Sequence, residues 1–84
     1  MILRFINSYG TTIFEMKNPT ELDIPSPNSE ITVKGERFIC YSHERIYEYR
    51  EFCGGYGMEK EPLVYFDITV LTPKEYKEII AKNN

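Results

Sequence analysis

Tryptophan is absent from the 84 residues, alanine occurs once (Ala81), histidine once (His43) and cysteine twice. Each shortage excludes something. With one His, and with Cys40 and Cys53 thirteen positions apart, there is no CxxC pair and no second ligand cluster, so no metal site is expected. Two cysteines make no disulfide framework, and both are expected as free thiols in a reducing, cytoplasmic setting. No apolar run is long enough to span a bilayer, and MILRFINSYG lacks the basic start and apolar stretch of a secretory leader. Neither membrane insertion nor export is expected.

What is present points to a packed fold. The chain is 42% hydrophobic and 14% aromatic, with both charge signs mixed and a net charge of −3, which argues against disorder. That balance offers no general attraction to phosphates. Its length fits a single domain over residues 1–84 with a thin margin of stability. Scarce alanine beside abundant Ile, Val, Thr, Tyr and Phe favours strands over helices.

Along the chain, ILRFI and TTIFEM flank Asn7-Ser8-Tyr9-Gly10 and read as a hairpin. Leu3 and Phe5 share one face of its first strand, Ile2 and Ile6 the other. Apolar character on both faces places at least one of these strands inside the sheet. Lys17–Ser29 carries Pro19, Pro25 and Pro27 and reads as an ordered connector, with Leu22 and Ile24 pinned to the core. A short strand over Glu30–Val33 turns through Lys34-Gly35 into a strand from Glu36. LVYFDITVL, residues 63–71, alternates cleanly, with Val64, Phe66, Ile68 and Val70 on one face. Thr72-Pro73-Lys74-Glu75 is a capping box opening a helix, with Tyr76, Ile79 and Ile80 at helical spacing.

The segment YSHERIYEYREFCGGYG, Tyr41 to Gly57, holds four of the seven tyrosines and three of the five glycines. As one regular strand, Arg37, Ile39, Tyr41, His43, Arg45, Tyr47 and Tyr49 share a face that could stack bases or anchor a protein. A bulge at Ser42-His43-Glu44 instead resets the parity and puts Tyr47 and Tyr49 with Phe38 and Cys40 on the core face. A third reading makes Ser42 an N-cap and Gly54-Gly55 the stop of a helix near residues 43–52. CGGYGMEKE lacks the ending of a phosphate loop. It reads as a mobile hairpin tip between residues 52 and 62. A nucleophilic pairing of Cys40 with His43 is weaker than a packed core cysteine. No catalytic or cofactor-binding residue is assigned, and enzymatic activity is not expected.

Two resemblances bear on the fold. KGERFICY, Lys34–Tyr41, partly resembles the central octamer of RNA-recognition motif domains at Lys34, Gly35, Phe38, Ile39 and Tyr41. Glu36 and Arg37 depart from it, and prolines fill the place of that family's first helix, so it is set aside. From Ile24 to Leu71, IPSPNSEITVKGERFICYSHE followed by VYFDITV resembles the strand rhythm of small SH3-like β-barrels or β-rolls. Such proteins occur among phage and mobile-element accessory proteins. This resemblance implies a binding role, an inhibitor of a host protein being one form.

The expected fold is therefore mainly β: a strongly bent antiparallel sheet or partly open barrel of about five strands with a short C-terminal helix. The alternative is an α+β fold with a second helix near 43–52. The expected function is a non-catalytic interaction domain that contacts a protein through Arg45, Tyr47, Tyr49, Tyr56, Gly57 and Met58. The alternative is a single-stranded nucleic-acid binder using the Tyr/Arg face. An exposed edge strand leaves a homodimer open.

Overall fold

Leu3 and Phe5 on one side of the first strand, and Arg4 on the other, all have partners waiting at the far end of the chain. The computed structural model describes residues 1–55 and 57–82. Its elements are β1 (Ile2–Ile6), β2 (Thr12–Lys17), a single 3-10 turn (Glu21–Asp23), β3 (Glu30–Val33), β4 (Glu36–Gly54), β5 (Gly57–Leu71) and the helix α1 (Pro73–Lys82). The five strands form one sheet in the order β2-β1-β5-β4-β3, mainly β as expected and not closed into a barrel.

The sheet is mixed rather than antiparallel throughout. β1 runs parallel to β5, from Ile2 opposite Tyr65 to Ile6 opposite Thr69, and the other three pairings are antiparallel. β1 is apolar on both faces and needs an interior slot; beside β5 it gains one. Parallel pairing requires a long crossover, which β2, β3, β4 and the connector together supply.

Local chemistry sets the turns. Asn7 Oδ1 accepts hydrogen bonds from the amides of Tyr9 and Thr11, both at 3.0 Å, closing the β1–β2 loop. Lys34 and Gly35 take φ of 51° and 82°, the paired left-handed geometry of a two-residue hairpin turn, and set Val33 opposite Glu36. At the helix start the Thr72 amide donates to Glu75 Oε1 at 2.9 Å and the Glu75 amide to Thr72 Oγ1 at 3.2 Å. Ser8 Oγ also donates to Glu75 Oε2, tying the helix to the β1–β2 loop. These bonds, that from Ser8 foremost, hold the Glu75 carboxyl below the usual range.

The core comprises Leu3, Phe5, Val33, Phe38, Cys40, Ile68 and Val70, with Ile13, Met16, Ile24, Ile31 and Phe66 packed against it. Ile24 takes its expected place. Leu22 does not: it lies on the 3-10 turn and is 97% exposed, because that turn carries its side chain outward.

On the sheet's other face Arg4 grips Asp67, its partner in the β1–β5 register. Nε and Nη2 reach the two carboxylate oxygens at 2.7 and 2.8 Å, and the guanidinium lies 3.9 Å over the Tyr65 ring. The bond to Asp67 raises the already high pKa of Arg4.

Residues 43–52 are strand, not helix. The Tyr-Glu-Tyr alternation has period two, and every one of these residues has a partner on β5. The parity reset is real but sits earlier than expected. Cys40 pairs with Val70 and Ser42 with Thr69, so the extra residue is Tyr41. The glycine-rich segment is likewise more ordered than a tip spanning 52–62: pairing continues to Gly54 opposite Gly57.

Candidate interaction surface

β4 and β5 outrun the rest of the sheet. β1 accompanies β5 only from Tyr65 onward, and β3 accompanies β4 only as far as Ile39. Eight cross-strand pairs, Tyr47 with Val64 through Gly54 with Gly57, therefore stand as a two-stranded arm. At roughly 3.4 Å per residue the arm is about 25 Å long, in a molecule whose longest dimension is 56 Å.

The register sorts the arm into two faces, since directly opposed residues share a face. One continues the core face outward: His43 opposite Ile68, Arg45 opposite Phe66, Tyr47 opposite Val64 and Tyr49 opposite Pro62. Further out, Met58 opposes Cys53, with the two sulfurs 3.6 Å apart. The reverse face carries Glu48 opposite Leu63, Arg50 opposite Glu61 and Phe52 opposite Glu59, with Arg50 Nη2 bonded to Glu61 Oε2 at 2.9 Å.

The bulge thus places Tyr47 and Tyr49 on the core face, yet they are not core: they are 71% and 73% exposed. Both lie beyond the point where the sheet has further strands or a connector to cover them. Met58 is 65% exposed, and Gly57 is exposed with φ of 114°, a conformation that favours glycine. Arg45 is exposed, with its guanidinium carbon 5.8 Å from the Phe66 ring centre. Arg45, Tyr47, Tyr49 and Met58 are thus brought onto one face, with Gly57 at its outer end. Tyr56, also expected here, lies outside the described residues.

Pro62 and Val64 complete the strip and were missed by reading β4 alone. Pairing outward from Gly54 and Gly57 as the ends of the turn would have found them.

His43 belongs to the root of the arm. Its ring meets Phe66 edge-on at 5.7 Å, and Nε2 is 3.1 Å from the Pro25 carbonyl oxygen. A carbonyl only accepts, so Nε2 carries the proton and the ring pins the connector to β4. Cys40 is buried, and burial pushes its thiol up, against a smaller opposing hydrogen bond with Ser29; that is the setting of an inert core thiol. Among the described residues no three His, Cys, Asp or Glu side chains are grouped to hold a metal ion. No described helix is long and apolar enough to cross a membrane.

A shallow apolar cleft of about 320 Å³ lies apart from the arm, between Phe5, Phe14, Leu22, Pro25, Ile31 and Val33. Asp23, Thr32 and Lys34 supply its polar lining.

Comparison with curated proteins and with solved structures gives no match. A match over residues 1–84 is found with the family of unknown function DUF5496. The chain belongs to that family.

Proposed function

We propose that this protein is a small non-catalytic interaction domain and that the β4–β5 arm contacts a protein partner. The observation that carries this reading is the pair Tyr47 and Tyr49, 71% and 73% exposed on a ribbon that extends beyond the core. A two-stranded ribbon gains little stability of its own in water, and ordering each residue costs about 1–2 kcal/mol of backbone entropy. An arm kept at that cost serves something other than the core. Tyrosine gives large contact area for few rotatable bonds and is enriched among residues that dominate binding energy. Arg45, Gly57 and Met58 extend the contact, with Tyr56 assigned to it from sequence. Inhibition of a host protein is one form such a role takes. The free thiols Cys40 and Cys53 suit a cytoplasmic setting.

A single-stranded nucleic-acid platform is the second reading, since Arg45, Tyr47 and Tyr49 share a face. Four glutamates (Glu48, Glu51, Glu59 and Glu61) against Arg50 and Lys60 on the arm weigh against it, because phosphate affinity rests on positive charge.

The test is affinity capture from host lysate, with nucleic acid retained, using the wild-type chain and the variant Y47A/Y49A. A protein captured by the wild type and lost with the variant supports the reading. Capture unchanged by the variant overturns it, and capture abolished by nuclease transfers it to the second reading.

A further inference from the structure

From Tyr41 to Gly54 the outer edge of β4 has no strand beside it among the described residues; the last neighbours are the bonds that Cys40 makes with Asn28 and Ser29. Such a length of unsatisfied backbone is a template for another strand. The arm's two edges differ in how they are guarded. β5 carries Pro62, which cannot donate to a further ladder, whereas charge does not separate the edges: Glu48, Arg50 and Glu51 stand on β4 and Glu59, Lys60 and Glu61 on β5. β4 carries no proline over Glu36–Gly54 and reads Ile46-Tyr47-Glu48-Tyr49-Arg50-Glu51-Phe52.

That heptad is complementary to its own reverse. Laid antiparallel to a second copy with the two-fold axis at Tyr49, it sets Glu48 opposite the copy's Arg50 and Ile46 opposite the copy's Phe52. Tyr49 meets its own equivalent, Glu51 faces Tyr47, and Arg45 faces Cys53. By symmetry each pairing but the one on the axis occurs twice, and no like charges meet. Moving the axis to Glu48 sets Glu48 against itself and Ile46 against Arg50. Moving it to Arg50 sets Arg50 against itself and Ile46 against Gly54. A slip by one residue joins the tyrosine face of one copy to the acidic face of the other.

The single chain leaves needs that this register meets. Glu48 has Leu63 as its β5 neighbour and gains a cation. Phe52, 38% exposed and set beside Glu59, gains Ile46 with Tyr65 behind it. Arg50, already bonded to Glu61, comes to lie between two carboxylates. The arm's length also fits. Glu44 of one copy comes opposite Gly54 of the other, so the paired stretch lies between the two bulges and the two bodies fall at its opposite ends.

We propose that the protein forms a two-fold homodimer by antiparallel pairing of the β4 edges, centred on Tyr49, giving a four-stranded arm. This goes beyond the proposed partner contact and does not depend on it: the edges are consumed, while the tyrosine face stays uncovered and is doubled.

Sedimentation equilibrium of the full chain over a wide concentration range tests it. The wild type is expected at twice the 9.9 kDa chain mass. Glu48→Arg faces Leu63 within its own chain and leaves intrachain pairs intact, but sets two arginine pairs across the axis; it should weaken association at least about tenfold. E48R/R50E/E61K reverses every charge in the row and should restore the dimer, which a misfolded variant could not. A wild type that is monomeric throughout overturns the proposal. So does a dimer indifferent to Glu48→Arg, or a triple variant that stays monomeric. Because Glu48 lies on the face opposite Tyr47 and Tyr49, loss of the dimer and loss of partner capture are read separately.

Discussion

Cys40 and Ser42 take adjacent partners on β5, Val70 and Thr69, leaving Tyr41 without one. This single extra residue carries the core face of β4 outward into the tyrosine face of the arm. It also makes one deletion harmless and a neighbouring one harmful. Removing Tyr41 keeps both flanking registers and leaves a regular ladder. Removing Glu44 consumes the bulge instead, turns Ser42 toward Ile68 and takes His43 off the Pro25 carbonyl. Urea denaturation should show Glu44 deletion more destabilising than Tyr41 deletion by about 1–3 kcal/mol, the cost of burying a hydroxyl without a partner.

The Arg4–Asp67 pair joins the two halves of the chain across the parallel register, with the Asp67 side chain 9% exposed and that of Arg4 25%. Asp67→Ala leaves a half-buried guanidinium uncompensated and should cost about 2–3 kcal/mol, below the full loss for a wholly buried pair because Arg4 retains some water. Arg4→Met with Asp67→Leu should recover most of that loss. A double-mutant cycle on thermal or urea unfolding checks both.

The arm contributes little to the stability of the body. Replacing residues 48–63 by Asn-Gly joins Tyr47 to Val64, which are already opposed, through a two-residue hairpin turn. The shortened chain should keep its fold and, compared at concentrations where the wild type is monomeric, lie within about 1 kcal/mol of it. Circular dichroism and thermal unfolding measure this, and a chain that fails to fold would contradict it.

Glu75 makes helix docking sensitive to acid. Its folded pKa is lowered, chiefly by Ser8, so its contribution is complete above the ordinary glutamate value of about 4.3 and is lost as pH falls through the folded value. Glu75→Gln should therefore be less stable than the wild type at pH 7, by about 0.5–1 kcal/mol. The two should converge under acid conditions below that window. Parallel urea titrations at both pH values give the comparison.

Much of this architecture is written locally. The Asn7–Gly10 loop, the Lys34-Gly35 turn, the alternation of 63–71 and the Thr72–Glu75 box each depend on neighbours in sequence, and each is legible there. The parallel β1–β5 pairing is not: Arg4 and Asp67 meet across 63 positions, and nothing beside either residue announces the other. The parity of β4 was legible only as alternatives, because a bulge is a choice the partner strand makes. Tyr47 and Tyr49 have the same composition signal whether covered or bare. What leaves them bare is that they lie on the stretch of β4 and β5 flanked by neither β1 nor β3, a fact about other strands.

The claim that the tyrosine face meets a protein is tested most directly by photo-crosslinking in the cells that naturally produce the chain, with a benzophenone amino acid placed at Tyr47 and, as control, at the exposed Lys77 of α1. A covalent adduct with one protein, heavier than the chain's own dimer, formed from position 47 and not from 77, is the predicted result. Adducts to nucleic acid, to the chain itself alone, or equally from both positions would contradict it.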